Sequence, residues 1–174
     1  MTNIINEKFE KVDPALLPDN VFELIGKEWM LITAGQPEKF NTMTASWGGL
    51  GVLWNKNVVF CFVRPNRYTR EFLDKEDNFT LSFLPDEFRD ELMFCGTNSG
   101  REINKIEKTG LSPIPTTSNS LAFEEARLIL ECKKIYIQDI DPKNFLSKDI
   151  ENNYPQKDYH RMFIGEITNC LMKI

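Results

Sequence analysis

A chain of 174 residues with 41% hydrophobic and 27% charged side chains can fold as one domain over residues 1–174 with a sizeable core, which excludes a disordered or fibrous protein. Its net charge of −5 argues against a general nucleic-acid binder or an anionic-membrane binder. No apolar run approaches bilayer-spanning length, and the Met1–Glu7 stretch lacks the basic and apolar regions of a secretion signal, so a cytoplasmic protein is expected.

In chain order, Trp29–Thr33 reads as a strand that Gly35-Gln-Pro37 turns. A second strand is expected over Thr42–Trp47, after which Gly48, Gly49 and Gly51 loosen the chain. Val58–Val63 is a short, β-branched, continuously apolar run, the pattern of a buried strand. Asn66 is placed to cap a helix through Glu71, Phe72 and Leu73. Phe79–Phe83 alternates with period two, and Pro85-Asp86 opens a helix through Leu92 and Phe94. Ser99-Gly-Arg-Glu102 has the form of a capping box for a helix carrying Ile103 and Ile106, with Gly110 beyond its end. Ser112–Ser120 reads as an exposed loop, Ala126–Ile137 as a long strand, Asp141-Pro142 as a short helix start and His160–Leu171 as a closing strand. About six strands with short helices between them lack the long alternation of a parallel sheet, so an antiparallel barrel with helical inserts is expected.

Three segments carry binding chemistry. Thr42, Thr44 and Ser46 alternate along one face of their strand, beside Trp47. Arg64, Arg67 and Arg70 lie within seven residues at a helix start, where free N–H groups and the guanidinium forks of Arg64 and Arg67 suit an anion. Thr97-Asn-Ser-Gly-Arg101, with Lys105 beyond it, reads as a second such helix start, and the two could converge on one phosphate. Each segment alone could be an ordinary surface strand or capped turn. Together they suit a ligand with a flat ring and an anionic tail, for which a flavin nucleotide has the right shape. Nothing is set aside for an adenine, which favours FMN over FAD.

Gly48-Gly-Leu-Gly51 lacks the spacing of a dinucleotide-binding loop. Cys61, Cys95, Cys132 and Cys170 form no CxxC pair and the only histidine is His160, so neither a zinc site nor a nucleophilic triad is expected. Cys61 and Cys132 fall in apolar runs and read as buried thiols of a reducing compartment.

Four segments in order carry a family resemblance: Asn41-Thr-Met-Thr-Ala-Ser-Trp-Gly-Gly-Leu-Gly-Val-Leu-Trp54, Val63-Arg-Pro-Asn-Arg-Tyr-Thr69, Gly96-Thr-Asn-Ser-Gly-Arg101 and Tyr159-His-Arg-Met-Phe-Ile-Gly-Glu166. From about Trp29 to the C-terminus the chain resembles the flavin reductase-like family, and within it the flavoredoxin-like proteins. The resemblance implies a mainly β fold with short helices, the Greek-key antiparallel split barrel that binds FMN. It also implies a homodimer with flavin near the interface, reduction by NADH or NADPH, and electrons passed to flavin or to an onward redox partner. Met43, Thr44, Ala45, Ser46 and Trp47 would then line the flavin ring. Arg64, Asn66, Arg67, Tyr68 and Thr69 would hold the phosphate, and Ser99, Gly100, Arg101 and Lys105 would approach the flavin as well. His160 would be the catalytic, nicotinamide-contacting residue. Related sequences often carry Ser where this chain has Asn66, and the broader reductase branch has Gly-Asp-His where this chain has Asp158-Tyr-His160. The alternative is a non-catalytic electron carrier with bound FMN.

Overall fold

Apolar runs with period-two alternation or continuous burial become strands of one rolled antiparallel sheet in the computed structural model, which describes residues 4–174. The elements in order are α1 (Ile4–Lys8), β1 (Phe9–Val12), α2 (Val21–Glu23), β2 (Met30–Gln36), β3 (Lys39–Ala45), β4 (Gly48–Leu53), β5 (Lys56–Val63), α3 (Tyr68–Lys75) and β6 (Asn78–Phe83). They continue with α4 (Arg89–Thr97), α5 (Lys105–Thr109), β7 (Pro113–Pro115), β8 (Leu121–Phe123), β9 (Leu128–Asp139) and β10 (Arg161–Lys173). The main sheet runs β3-β2-β6-β9-β10-β5-β4, with β1 paired to the far end of β10 and β7 paired to β8 as a separate hairpin.

The two outermost strands of that path, β3 and β4, are consecutive in the chain, with only Ser46 and Trp47 between them. The sheet therefore rolls until its free edges return to one place, giving an antiparallel split barrel whose seam is Ser46–Trp47. Inside it pack Ile32, Met43, Val59, Cys61, Phe79, Leu81, Leu130, Cys132 and Phe163. A second cluster, including Leu31, Leu92, Cys95, Phe123 and Ile129, covers the outer face of β2, β6 and β9 beneath α4 and the β7–β8 hairpin. Those strands are buried on both faces: Met30–Ile32 and Leu128–Leu130 read as continuous apolar runs, while the alternating Thr80 and Ser82 of β6 are buried as well. All four cysteines are buried, free thiols.

Glycines permit two close passages. A Cβ on Gly165 would lie 2.6 Å from the Phe79 ring and 2.9 Å from Cys132 Cβ, beside the register shift between β9 and β10. A Cβ on Gly48 would lie 2.6 Å from the Phe60 carbonyl oxygen, where β4 starts against β5.

Several expectations need correction. The first main strand starts at Met30, because Trp29 turns at φ 70° with its ring 4.4 Å from the Arg89 guanidinium. Gly35 lies inside β2 at φ 116°, and the chain reverses at Pro37-Glu38. The next strand begins earlier than Thr42 and ends at Ala45. The glycine run is no loosened link: it forms β4, paired to β5 through a two-residue turn in which Trp54 and Asn55 both have positive φ. Ser112–Ser120 is not all exposed loop, because Pro113–Pro115 pairs with β8 and Ile114 and Ser120 are buried. The Thr117 hydroxyl and the Ser118 N–H donate to buried Glu131 and anchor this segment on the sheet.

Candidate functional site

The seam, the start of α3 and the exit of α4 meet at one place. A cavity of about 170 Å³ is bounded by Asn41, Arg67, Thr69, Asn98, Gly100 and Lys105, among others. A neighbouring cavity of about 150 Å³ is bounded by Thr44, Ser46, Trp47, Arg64, Arg67 and His160. Met43 and Arg67 line both, so the two form one cleft along β3. Ala45 lines the second cavity, while Asn66, Tyr68 and Ser99 line the first. Arg101 lines neither; it borders a wider groove of about 400 Å³ on the other side of Asn41 and Tyr68.

Local folding differs from the expected capping. Asn66 does not cap α3: the N-cap position falls on Arg67, with no side-chain cap bond, because Asn66 stands one residue too early. Among the described residues the first N–H groups of α3 therefore have no side-chain acceptor. Ser99 does not open a helix either. Residues 99–103 form a turn in which the Ser99 carbonyl accepts from the N–H groups of Glu102 and Ile103, both at 3.1 Å, while the Ser99 hydroxyl accepts only from the Arg101 N–H. The helix starts at Lys105, with the Asn104 side chain accepting from Ile106 and Glu107 and with left-handed Gly110 closing it. The segment from Thr97 is thus the C-terminal exit of α4, not a second helix start.

The cations of the site differ sharply in their partners. Arg64 donates to Asp158 at 2.7 Å and to the Asn153 carbonyl at 2.8 Å, with its guanidinium 5.1 Å from the Tyr154 ring. Arg101 is paired with Glu71, donates to the Asn66 carbonyl and stacks 4.9 Å from the Tyr68 ring. Arg67 makes no ion pair among the described residues; Nη1 donates to the Gly96 carbonyl at 2.7 Å, near the end of α4. Burial first and the Arg64 charge second push its pKa down. Lys105 is 6% exposed, also has no ion pair among the described residues, and donates through Nζ to the Thr42 and Cys95 carbonyls, each at 2.7 Å. Burial is the main cause that brings its pKa down to about 8, with Arg67 adding to it against Cys95.

The hydroxyl face expected on β3 is largely turned to the fold. Thr33 donates to Thr42 at 2.9 Å, and Thr44 donates to the Leu92 carbonyl at 2.5 Å. What β3 offers the cleft is its main chain. It pairs only with β2, and the Thr42 carbonyl accepts from Lys105 on its free edge. By period two, the Thr44 peptide groups face that same edge. Trp47 stands 45% exposed at the seam, its ring 5.1 Å from that of His160. His160 is 7% exposed and bonds Tyr154 Oη through Nδ1 at 2.9 Å. Burial first, then Arg64, bring its pKa to about 4, so the ring is neutral at neutral pH.

Asn41 and Tyr154 shape the site although no local sequence signal gives either a role. Asn41 donates to Thr69 Oγ1 at 2.7 Å and to the Thr42 carbonyl, fixing the wall between strand and helix. Gly100 passes over Asn41 so closely that a Cβ would lie 1.9 Å from its Oδ1. Tyr154, the partner of His160, sits in an irregular segment where no periodicity marks it.

Two cations without an ion pair among the described residues, a free peptide edge and an aromatic wall match a ligand with an anionic group at one end and a flat, hydrogen-bonding ring at the other. The family model for the flavin reductase like domain matches residues 23–173. No curated protein matches the chain in sequence. Among solved structures, the chain is similar to the FMN-binding domain of a flavin reductases-like enzyme from Shewanella baltica OS155, with TM-score 0.67, 17% identity, and 94% of this chain and 76% of that one covered. It is also similar to the flavoredoxin of Desulfovibrio vulgaris (Miyazaki F), with TM-score 0.66, 19% identity and 92% and 76% covered. A third similar structure is the NADH:FAD oxidoreductase of Streptomyces globisporus C-1027, with TM-score 0.65, 14% identity and 83% and 75% covered.

Proposed function

The chain belongs to the flavin reductase like domain family, and from that premise we propose that it is an FMN-binding oxidoreductase that takes reducing equivalents from NADH or NADPH. The observation that carries the FMN reading is the pair Arg67 and Lys105, two cations with no ion pair among the described residues, facing one cavity beside the uncapped start of α3. A phosphate there gains charge-assisted bonds and relieves the repulsion between them. The free edge of β3 at Thr44 and the Ser46 side chain supply hydrogen bonds for a ring in the second cavity. Bound FMN would supply the hydride acceptance and electron delivery that no side chain of the protein can. The protein's own work is to neutralise the phosphate with Arg67 and Lys105, to orient the ring along β3, and to shield one side of the cleft with Trp47 and His160.

The likeness to a flavoredoxin supports a second reading, an electron carrier loaded by another reductase. Anaerobic mixing of the FMN-loaded protein with NADH or NADPH separates the two: rapid loss of flavin absorbance supports the reductase, and none with either nucleotide supports the carrier. Titration of the flavin-free protein with FMN, riboflavin and FAD tests the site itself. FMN should bind far more tightly than riboflavin; equal affinities would overturn the phosphate assignment.

Assembly is part of the proposal. Val52, Trp54, Tyr136 and Ile137 are exposed on β4, its turn and β9, with Trp54 and Tyr136 edge to face at 6.0 Å. A homodimer covering this face would bury them, and sedimentation across dilution tests it. The four buried, free thiols suit a reducing, cytoplasmic compartment.

A further inference from the structure

We propose that Tyr154 is a positioning residue that fixes His160 as the tautomer with its proton on Nε2, so that the wall of the cleft beside Trp47 presents a neutral N–H donor and takes a hydrogen-bond acceptor such as a carbonyl or ring-nitrogen lone pair. This inference goes beyond the flavin reading and does not depend on it, because it concerns the side chains of the ligand-free protein.

Tyr154 Oη and His160 Nδ1 are 2.9 Å apart, and this is the only hydrogen bond of the Tyr154 hydroxyl among the described residues. Tyr154 is 5% exposed. Its proton must find an acceptor, because a buried donor left unpaired costs more than an acceptor with a spare lone pair. The Arg64 guanidinium, 5.1 Å from its ring centroid, has no lone pair to offer. Nδ1 of His160 is therefore the acceptor, and a neutral ring that accepts at Nδ1 carries its proton at Nε2.

The charged groups around the ring leave this arrangement in place. Asp158, two residues before His160, would be the usual carboxylate to claim an Nδ1 proton, but its Oδ2 is paired with Arg64 at 2.7 Å, its buried Oδ1 has no partner among the described residues, and neither oxygen bonds the imidazole. Arg64 and Arg67 disfavour a second proton on the ring, Asp158 favours it, and burial is the largest cause against it. Among the described residues Nε2 has no partner; it is not one of the fully buried unpaired atoms, and it belongs to a side chain that lines the cavity with Thr44, Ser46 and Trp47. A donor without a partner in a cavity is a place for an acceptor on a ligand.

His160 is the only histidine, so its two ring nitrogens are the only imidazole signals in an ¹⁵N-labelled sample. Two-bond ¹H–¹⁵N spectra of the flavin-free protein should show a protonated Nε2 and a pyridine-like Nδ1 from about pH 5.5 to pH 8. Tyr154→Phe removes the donor to Nδ1, and the same spectra should move toward a mixture of both tautomers in a protein that is still folded by its amide dispersion. Adding FMN to the wild-type protein should shift the Nε2 signal more than the Nδ1 signal. A protonated Nδ1 in the wild type, or Tyr154→Phe spectra identical to wild type, would overturn the assignment. If the variant does not fold, the wild-type spectrum alone decides. An unchanged Nε2 signal on saturation with FMN would overturn the part that places a ligand acceptor at His160, whereas failure of FMN to bind at all would strike the flavin reading and leave the tautomer standing.

Discussion

Arg67 and Lys105 on one side, Arg64 and Arg101 on the other, are four cations within one corner of the molecule, and the two pairs have opposite surroundings. The first pair spends its donors on backbone carbonyls and has no ion pair among the described residues; the second is neutralised by Asp158 and Glu71. A cation whose charge is already met by a carboxylate gives an incoming phosphate little, because the new bond replaces an old one. A half-buried cation without such a partner carries an unmet desolvation cost that an anion removes. Availability for a ligand is therefore set by neighbours far along the chain, not by membership in an arginine-rich segment.

Breaking the unpaired side should have the largest effect. Arg67→Ala is expected to weaken FMN by roughly 2–3 kcal/mol, the scale of charge-assisted hydrogen bonds, and to change riboflavin affinity much less. Equal losses for both ligands in a fluorescence titration would mean that Arg67 acts through the fold. Gly100→Ala comes next: its Cβ would drive Asn41 away from Thr69 and Thr42, an overpacking cost of roughly 1–3 kcal/mol that should appear in thermal stability and FMN affinity together. Gly165→Ala, which crowds Phe79 in the barrel, should lower stability by a similar amount while leaving FMN affinity of the folded fraction unchanged.

The pH dependence sharpens the comparison further. In the free protein Lys105 loses its proton near pH 8, and a bound phosphate favours the protonated form. Binding therefore takes up a proton above that pH, and FMN affinity should fall by up to about tenfold per unit as pH rises beyond 8. Lys105→Met should flatten this profile, and a wild-type profile that is flat from pH 7 to pH 9.5 would remove Lys105 from the phosphate site. The smallest effects belong to the paired side: Arg101→Ala and Arg64→Ala should each cost FMN about 1 kcal/mol or less. A loss from Arg64→Ala as large as that from Arg67→Ala would erase the distinction between the two pairs.

The same contrast explains what could be read from the amino-acid order. Strands with a sharp local pattern, such as Val58–Val63 and Phe79–Phe83, lie where that pattern puts them. The segments at Met43–Trp47 and Arg67–Thr69 do come together at one cleft with Ser99, Gly100 and Lys105, while Arg101 stays outside it. What stayed hidden depends on distant partners. Asp158 lies 94 positions from Arg64, and no local rule says that it neutralises that guanidinium. β4 is obscured because glycines carry no side-chain pattern, although the lack of a Cβ at Gly48 is what lets the strand start so close to the Phe60 carbonyl. The capping box at Ser99 gives way to a tight turn whose carbonyl bonds the Glu102 and Ile103 N–H groups, and Asn66 stands one residue before the N-cap position of α3.

The four buried thiols give this molecule a built-in clock for its own opening. Burial raises the Cys61 thiol to about 12 and the Cys95 and Cys170 thiols to about 11, and pushes Cys132 up as well, so none reacts appreciably while the protein is closed. Their alkylation rates then count excursions from the native state. Cys61, Cys132 and Cys170 lie in the barrel interior, whereas Cys95 lies under the cleft, and its carbonyl holds Lys105. Mass spectrometry of a timed labelling reaction therefore separates a momentary lifting of the cleft floor, which frees Cys95 alone, from disassembly of the whole barrel, which frees all four. An anion seated on Arg67 and Lys105 should slow the first event well before it touches the second.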